Sequence, residues 1–221
     1  MLKHILFDND GTLVDSEIIA VRGTLNVLRR HGFEMTEREF SQRFPGLLER
    51  DIAVILARDH GAQIPENYLD LLKAEHRHAF QHELRAIPGM TALFRQIRLP
   101  KSMVSNASVA HVEHCLRKVR LRGALNGHIF SAEHVTHPKP QPDVYLFALE
   151  KLELRPADTL VVEDSPVGVM AAKQAGLRVA GFLGAAHIHD GHEERLRDAG
   201  ADFIAADAKA LGRLLGGMGA F

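Results

Sequence analysis

The apolar and polar positions of this chain follow two alternating patterns. Short apolar runs, rich in β-branched and aromatic residues and closed by turn signals, predict buried strands. These runs are Ile5–Phe7, Met103–Val104, His128–Phe130, Leu160–Val162, Val179–Phe182 and Asp202–Ala205. Stretches with helical periodicity lie between most of them, at Val109–Val119, Pro142–Leu152, Val167–Gly176 and Ala208–Leu215. Strands that alternate with helices predict βαβ units and an α/β fold, with a mainly parallel sheet covered by helices on both faces.

One long stretch, from Asp15 to about Ile87, departs from this alternation. It contains no convincing strand, and glycine and proline residues divide it into amphipathic segments. The segments are Ile18–His31, Glu37–Phe44, Leu48–His60 and Asn67–Glu83. We therefore predict an all-helical domain, residues 15–86, inserted into a core made of residues 1–14 and 87–221.

The composition argues against several classes of protein. The chain has 221 residues, 46% of them apolar and 25% charged, which is ordinary for a globular protein. A net charge of −1 provides no field that favours nucleic acid or an anionic membrane. No apolar stretch approaches the roughly 18 residues of a membrane span, and the first residues have no signal-peptide layout. Cys115 is the only cysteine, which suits a reducing compartment. We expect a cytoplasmic protein, a monomer or weak homodimer, without nucleic-acid or membrane partners.

The first predicted strand ends in the sequence Asp8-Asn9-Asp10-Gly11-Thr12. Asp8 and Asp10 are two residues apart, so their side chains point in the same direction from an extended backbone. Two like charges held that close are costly unless a cation or a shared proton compensates them. An aspartate before a glycine also commonly forms a simple turn. The motif by itself therefore leaves a turn and a charged site both open.

Polar residues also occur at three later positions where predicted strands or loops end. They are Ser105-Asn106 after the second strand, Lys139 in the proline-stiffened loop Pro138–Asp143, and Glu163-Asp164 after the fourth strand. Each has an ordinary explanation by itself, as a helix cap or a solvated surface lysine. In an open parallel sheet, however, ligands bind beyond the carboxyl ends of the strands. The ordered set of four motifs therefore indicates one shared site.

In the order and spacing of these motifs, the chain closely resembles the haloacid dehalogenase (HAD) superfamily of phosphotransferases. Within it, the sequence is similar to phosphatases of sugar phosphates, 6-phosphogluconate and phosphoglycolate, and to β-phosphoglucomutases. These enzymes carry a helical cap inserted after the first motif. The resemblance extends over essentially the whole chain. It implies a Rossmann-like, doubly wound core and a mobile helical cap over the active site.

The resemblance implies a covalent mechanism. Asp8 would be the nucleophile that forms an aspartyl-phosphate, a route that is open to carboxylates. Asp10 would protonate the leaving alkoxide and later accept a proton from the attacking water. Lys139 would neutralise the phosphoryl oxygens and restrain Asp8 as a compact positive charge.

The same resemblance implies a phosphate site and a metal site. Ser105, Asn106 and Lys139 would bind the phosphate where a strand leads into a helix N-terminus. Mg²⁺ is the expected cofactor, because it prefers oxygen ligands from carboxylates and phosphate. The expected ligands are the side chains of Asp8, Glu163 and Asp164 and the backbone carbonyl of Asp10.

The predicted reaction is hydrolysis of a small phosphorylated sugar, sugar acid or sugar alcohol. Dehalogenases of the superfamily lack the second aspartate of the first motif, whereas Asp10 is present here. The related mutases typically have a histidine shortly after the first motif and an arginine soon after a cap glycine. Ala20 and Glu49 occupy the nearest positions, with Arg50 one residue later, which favours a phosphatase. A β-phosphoglucomutase-like enzyme, a phosphoglycolate phosphatase and a non-catalytic phosphometabolite-binding protein remain as alternatives.

Three residues of the predicted cap are candidates for determining substrate specificity. The segment from Arg43 to Arg50 joins two predicted helices and should face the site when the cap closes. Arg43, Glu49 and Arg50 are the charged candidates in this segment. An ordinary helix–helix connection is the alternative. The expected binding partner of the whole protein is a small phosphorylated metabolite.

Overall fold

The computed structural model describes residues 1–44, 49–60 and 64–221. The chain divides into two compact units. The larger one comprises Met1–Asp15 and Arg85–Phe221, and the smaller one comprises Ser16–Leu84. Within the described ranges, the helices are too short or too polar to cross a membrane.

The larger unit contains a six-stranded parallel sheet. Its strands are β1 (His4–Phe7), β2 (Lys101–Ser105), β3 (Ile129–Ser131), β4 (Thr159–Glu163), β5 (Arg178–Phe182) and β6 (Phe203–Ala205). They are arranged in the order β3-β2-β1-β4-β5-β6, and every neighbouring pair is parallel. This arrangement confirms the predicted α/β fold with a doubly wound parallel sheet.

Ten α-helices occur in the part of the chain that the structure describes. They are α1 (Ser16–Arg30), α2 (Glu37–Arg43), α3 (Glu49–His60), α4 (Tyr68–Glu83), α5 (Met90–Gln96), α6 (Val109–Lys118), α7 (Asp143–Lys151), α8 (Pro166–Gln174), α9 (His192–Asp198) and α10 (Ala208–Gly217). The hydrophobic pattern predicts neither α5 nor α9. Both are seven residues long, and α9 buries only His192 and Leu196, so its sequence shows little helical periodicity.

The packing of β1 explains its position at the centre of the sheet. Ile5 and Phe7 belong to the core on one face, where the Phe7 and Phe94 rings meet edge to face with centroids 5.2 Å apart. Leu6 belongs to the core on the opposite face. A strand that is buried on both faces has an uninterrupted apolar sequence, and each such side chain contributes about 1.5–3 kcal/mol. The residue after Phe7 therefore lies at the carboxyl edge of the sheet.

The smaller unit is built from α1 to α4, and its described elements are all helical. Leu28 of α1, Leu56 of α3 and Leu72 of α4 belong to its apolar core. A capping box begins α2: the Thr36 hydroxyl accepts a hydrogen bond from the Glu39 N–H at 3.2 Å, and the Glu39 carboxylate accepts one from the Thr36 N–H at 2.8 Å. This unit is therefore a helical domain with a core of its own.

Asn9, between the two aspartates of the first motif, carries a buried amide without a hydrogen bond. The residue is 0% exposed, and neither its Oδ1 nor its Nδ2 has a partner among the described residues. An unpaired buried polar group costs about 1–3 kcal/mol. We predict that Asn9→Leu, a change of similar size, raises the free energy of unfolding by about 1 kcal/mol. Thermal denaturation should show an increase of about 2–4 °C in the midpoint.

The matched control for this change is Asn126→Leu. Asn126 Oδ1 accepts a hydrogen bond from the Lys101 N–H at 3.0 Å, so its replacement should lower the midpoint. A lower midpoint for Asn9→Leu as well would show that the Asn9 amide is satisfied in solution.

Candidate active site

The carboxyl ends of three neighbouring strands bring the predicted motifs together. β1 pairs with β2 on one side and with β4 on the other. Asp8 directly follows β1, Ser105 ends β2 and Glu163 ends β4. The strand order reverses direction at β1, and ligands bind at such a switch point in open parallel sheets. The sheet order therefore explains how residues far apart in the chain form one site.

Lys139 is the central residue of this arrangement. Its ammonium group donates hydrogen bonds to Asp8 Oδ1 and Glu163 Oε1, each at 2.8 Å, and to the Val104 carbonyl at 2.9 Å. Its side chain is only 3% exposed. Burial by itself would lower the pKa of Lys139, but the charges of Asp8 and Glu163 raise it well above its ordinary value. Lys139 is therefore a fixed positive charge between two carboxylates.

The buried acidic groups outnumber this one lysine. Carboxylate oxygens of Asp8, Glu163 and Asp164 all lie within 4.8 Å of one another, and the three residues are buried. Burial, together with Glu163 and Asp10, raises the pKa of Asp8 well above its ordinary value, although Lys139 opposes this shift. A further cation would relieve the excess negative charge. Three clustered carboxylates fit a hard divalent ion, which prefers oxygen ligands.

Local contacts direct Asp164 towards this cluster. The Thr12 hydroxyl donates a hydrogen bond to Asp164 Oδ1 at 2.8 Å. Gly11 has a φ of +80°, and a Cβ at this position would overlap the Asp164 carboxylate. His192 Nε2 donates to the Asp164 carbonyl at 2.6 Å. Glycine is thus required after Asp10 both for the backbone conformation and for the close approach.

Glu163 is held through both of its oxygens. Oε1 accepts the bond from Lys139, and Oε2 accepts bonds from the Ser165 N–H at 2.9 Å and hydroxyl at 3.0 Å. The Ser165 hydroxyl also caps α8 by accepting a hydrogen bond from the Gly168 N–H at 3.0 Å. The helix cap considered for this motif is therefore present together with the ion pair. Glu163 orients Lys139 and contributes negative charge.

Ser105 and Asn106 have different surroundings. Ser105 is buried, and its hydroxyl oxygen accepts a hydrogen bond from the Ala107 N–H at 3.0 Å, so its hydrogen can be donated elsewhere. The Asn106 amide pairs with the backbone of Lys139: Oδ1 accepts from its N–H at 2.9 Å, and Nδ2 donates to its carbonyl at 3.0 Å. Asn106 thus positions the lysine loop, and its binding of phosphate stays a prediction.

Two histidines that the sequence analysis does not predict lie beside the acidic groups. His111 Nε2 is 3.0 Å from Asp10 Oδ1, and this hydrogen bond raises the pKa of His111 to about 10. His187 Nε2 is 3.5 Å from Asp164 Oδ2, and burial lowers the pKa of His187 to about 4. Each histidine follows a strand of the sheet, β2 or β5, and this is the signal that could have identified them.

The three substrate-selection candidates lie in the smaller unit. Arg43, in the last turn of α2, forms an ion pair with Asp59 at 2.7 Å. Glu49 and Arg50 begin α3, and both are exposed. Residues 45–48 of the predicted cap loop lie outside the described residues. The role of these candidates in substrate choice stays a prediction.

The fold and the site together define a phosphate-transferring hydrolase. Residues 5–182 match the family described as haloacid dehalogenase-like hydrolase, so the chain belongs to this family. The resemblance proposed from the four motifs is thereby confirmed.

Three known proteins illustrate the similarity. The 6-phosphogluconate phosphatase of Escherichia coli is 28% identical over 187 residues, which cover 84% of this chain and 85% of that protein. Hexitol phosphatase A of Escherichia coli is 32% identical over 195 residues, 80% of this chain and 81% of that protein. The crystal structure of a HAD-family hydrolase from Deinococcus radiodurans, with bound phosphate and sodium, superposes with a TM-score of 0.91 at 29% identity. The superposition covers 100% of this chain and 97% of that one. Like the first two of these relatives, the present chain is a phosphatase-type enzyme of the family.

Proposed function

We propose that the protein is a Mg²⁺-dependent phosphomonoesterase that hydrolyses a small phosphorylated sugar, sugar acid or sugar alcohol. The observation that carries this proposal is the placement of Asp8. Its carboxylate is buried at the switch point of the sheet, 2.8 Å from the Lys139 ammonium and next to Glu163 and Asp164. A carboxylate held in this way is a positioned nucleophile, and a simple turn would not require the buried lysine.

In the first proposed step, Asp8 attacks the phosphorus atom and forms an aspartyl-phosphate. The bond between phosphorus and the ester oxygen breaks, and the Asp10 carboxyl gives its proton to that oxygen, so the alcohol leaves. Lys139 keeps Asp8 oriented and offsets the negative charge of the phosphoryl group. The Ser105 hydroxyl, and Asn106 with it, are the further proposed contacts to phosphate.

In the second step, water attacks the phosphorus atom of the aspartyl-phosphate. The Asp10 carboxylate accepts a proton from this water, the bond between Asp8 and phosphorus breaks, and inorganic phosphate leaves. Asp8 returns as a carboxylate and Asp10 as an acid, so the site is ready for another substrate molecule.

The cluster of buried carboxylates is the proposed metal site. The side chains of Asp8, Glu163 and Asp164 and the backbone carbonyl of Asp10 would hold Mg²⁺. When bound, the ion supplies positive charge to the phosphoryl oxygens, which a negatively charged nucleophile has to approach.

Two relatives support this class of substrate. One is a phosphatase of 6-phosphogluconate, a sugar acid phosphate, and the other is a hexitol phosphatase. Phosphate release should be measured for hexose phosphates, hexitol phosphates, 6-phosphogluconate and phosphoglycolate with added Mg²⁺. We expect kcat/KM to be highest for a sugar, sugar acid or sugar alcohol phosphate. EDTA should abolish release, and Mg²⁺ should restore it. Activity that survives EDTA, or a preference for phosphoglycolate, would contradict the proposal.

A phosphosugar mutase is the second candidate, and Ala20 and Glu49 argue against it. Phosphorus NMR of glucose 1-phosphate with the protein separates the two reactions, because hydrolysis yields free phosphate and transfer yields glucose 6-phosphate. A non-catalytic binding protein would yield neither product. The presence of Asp8, Asp10 and Lys139 favours turnover over such a protein.

Replacement of Asp10 by asparagine should slow both chemical steps without loss of metal binding. The amide cannot transfer a proton, so we expect kcat to fall by about 10²–10⁴-fold. The loss should be larger for alkyl phosphates than for an aryl phosphate, whose leaving group needs little protonation. The Mg²⁺ concentration for half-maximal activity should stay the same, because the backbone carbonyl is retained. Loss of metal affinity would assign the Asp10 side chain to the metal instead.

A further inference from the structure

A second group of potential metal ligands consists of Asp10 and two residues of α6, His111 and Cys115. Asp10 Oδ1, His111 Nε2 and Cys115 Sγ all lie within 4.8 Å of one another. His111 Nε2 is 3.0 Å from Asp10 Oδ1 and 3.4 Å from Cys115 Sγ. His111 and Cys115 are four residues apart on α6 and therefore share one face of the helix.

The geometry of this group does not fit a catalytic thiol. In a nucleophile–histidine–acid relay, the two ring nitrogens of the histidine contact different partners. Here the same nitrogen of His111 is close to both the thiol and the carboxylate. Cys115 is also 0% exposed, so no substrate reaches its sulfur directly.

The geometry does fit a borderline-soft divalent cation. Zn²⁺ binds thiolate at about 2.3 Å, imidazole at about 2.0 Å and carboxylate at about 2.0–2.2 Å, often with water as a fourth ligand. With these lengths and tetrahedral angles, nitrogen and sulfur lie about 3.5 Å apart, and nitrogen and oxygen about 3.3 Å apart. The observed 3.4 and 3.0 Å are within a few tenths of these values. The side chains of His111 and Asp10 are 33% and 22% exposed, so an ion can enter from their side.

We propose that Asp10, His111 and Cys115 form a binding site for Zn²⁺ or a similar borderline cation, separate from the three-carboxylate cluster. Thiolate and imidazole ligands favour Zn²⁺ over Mg²⁺, which selects oxygen. Binding replaces the protons of the thiol and of His111, and these are released to solvent. An ion in this site engages the Asp10 carboxylate and thereby inhibits the enzyme. This inhibitory effect rests on the proposed function, whereas ion binding does not.

Ion binding is tested with Co²⁺ as a spectroscopic substitute for Zn²⁺, in the tag-free full chain. Because Cys115 is the only cysteine, a thiolate-to-cobalt charge-transfer band can arise from this residue alone. We expect the band in the wild type, its loss in Cys115→Ser and Cys115→Ala, and its retention in His114→Gln. His114 is the matched control, since it is exposed on the same helix. Absence of the band in the wild type would overturn the proposal, whatever the activity of the protein.

Inhibition is tested by titration of Zn²⁺ against phosphatase activity in saturating Mg²⁺. We expect both Cys115 variants to keep their activity in the absence of Zn²⁺. Because each variant lacks one of the three protein ligands, half-inhibition should require at least about 10-fold more Zn²⁺ than in the wild type. His114→Gln should behave like the wild type. Zn²⁺ that only displaces Mg²⁺ from the carboxylate cluster would inhibit all variants equally, and this result would overturn the inhibitory role. If no phosphate ester is hydrolysed, the proposed function fails, and the cobalt band still decides whether the site exists.

Discussion

The variant Asp8→Asn is expected to lose at least about 10³-fold in kcat/KM for an aryl phosphate in the presence of Mg²⁺. Asparagine has nearly the same shape, and its carbonyl oxygen can still accept the hydrogen bond that Lys139 donates to Asp8 Oδ1. The amide, however, is not a nucleophile and cannot form the acyl phosphate. Steady-state kinetics of phosphate release measure the loss.

The fold of Asp8→Asn should remain intact, because the change removes one negative charge from a buried cluster of carboxylates. Its thermal midpoint should therefore equal or exceed that of the wild type. Asp198→Asn, an exposed position in the last turn of α9, is the matched control and should retain full activity. Wild-type activity in Asp8→Asn would exclude Asp8 as the nucleophile.

The variant Lys139→Met is expected to lose both stability and activity. It leaves Asp8 and Glu163 buried next to each other without the cation that now bridges them at 2.8 Å. Removal of one partner from a buried ion pair costs about 3–5 kcal/mol. For a chain of this length, the thermal midpoint should fall by on the order of 10 °C. We expect kcat/KM to fall by about 10²–10³-fold, because positive charge at the phosphoryl group is also lost.

Two further variants separate the charge effect from simple loss of a buried lysine. The double variant Lys139→Met with Glu163→Gln has one fewer uncompensated charge, so it should recover part of the stability but none of the activity. Lys101→Met is the matched control, because Lys101 is also buried but donates to the Ile97 carbonyl at 2.9 Å rather than to a carboxylate. It should change the free energy of unfolding by less than about 1 kcal/mol. Equal destabilisation by Lys101→Met and Lys139→Met would refute the ion-pair explanation.

The hydrophobic pattern predicted strand cores better than strand ends. The predicted runs Ile5–Phe7 and Leu160–Val162 lie inside β1 and β4, because strands buried on both faces are apolar throughout. The second strand was predicted as Met103–Val104, whereas β2 begins at Lys101. Lys101 and Ser102 are polar but buried, and they can be so because groups outside the strand form hydrogen bonds with their side chains. The Ser102 hydroxyl, for example, accepts a hydrogen bond from the His128 N–H at 3.1 Å.

The motifs of the site were visible in the sequence, but their contacts were not. Asp8 and Lys139 are 131 residues apart, and only the order of β2, β1 and β4 brings them together. The binding of phosphate by Asn106 stays a prediction, and the fold adds a contact that the sequence does not reveal, the pairing of its amide with the backbone of Lys139. His111 approaches Asp10 from the first turn of α6, and its position after the second strand is the one signal for it in the sequence.

The sequence alone thus determined the α/β class and the family, and it predicted the set of residues that would carry the chemistry. It could do so because apolar periodicity and short motifs are local properties of the chain. Only the tertiary structure decided which residue compensates which charge: Lys139 lies between Asp8 and Glu163, and Asp10 contacts His111, which in turn contacts Cys115. Electrostatic energies depend on distance and burial, and both are set by the order and packing of the strands.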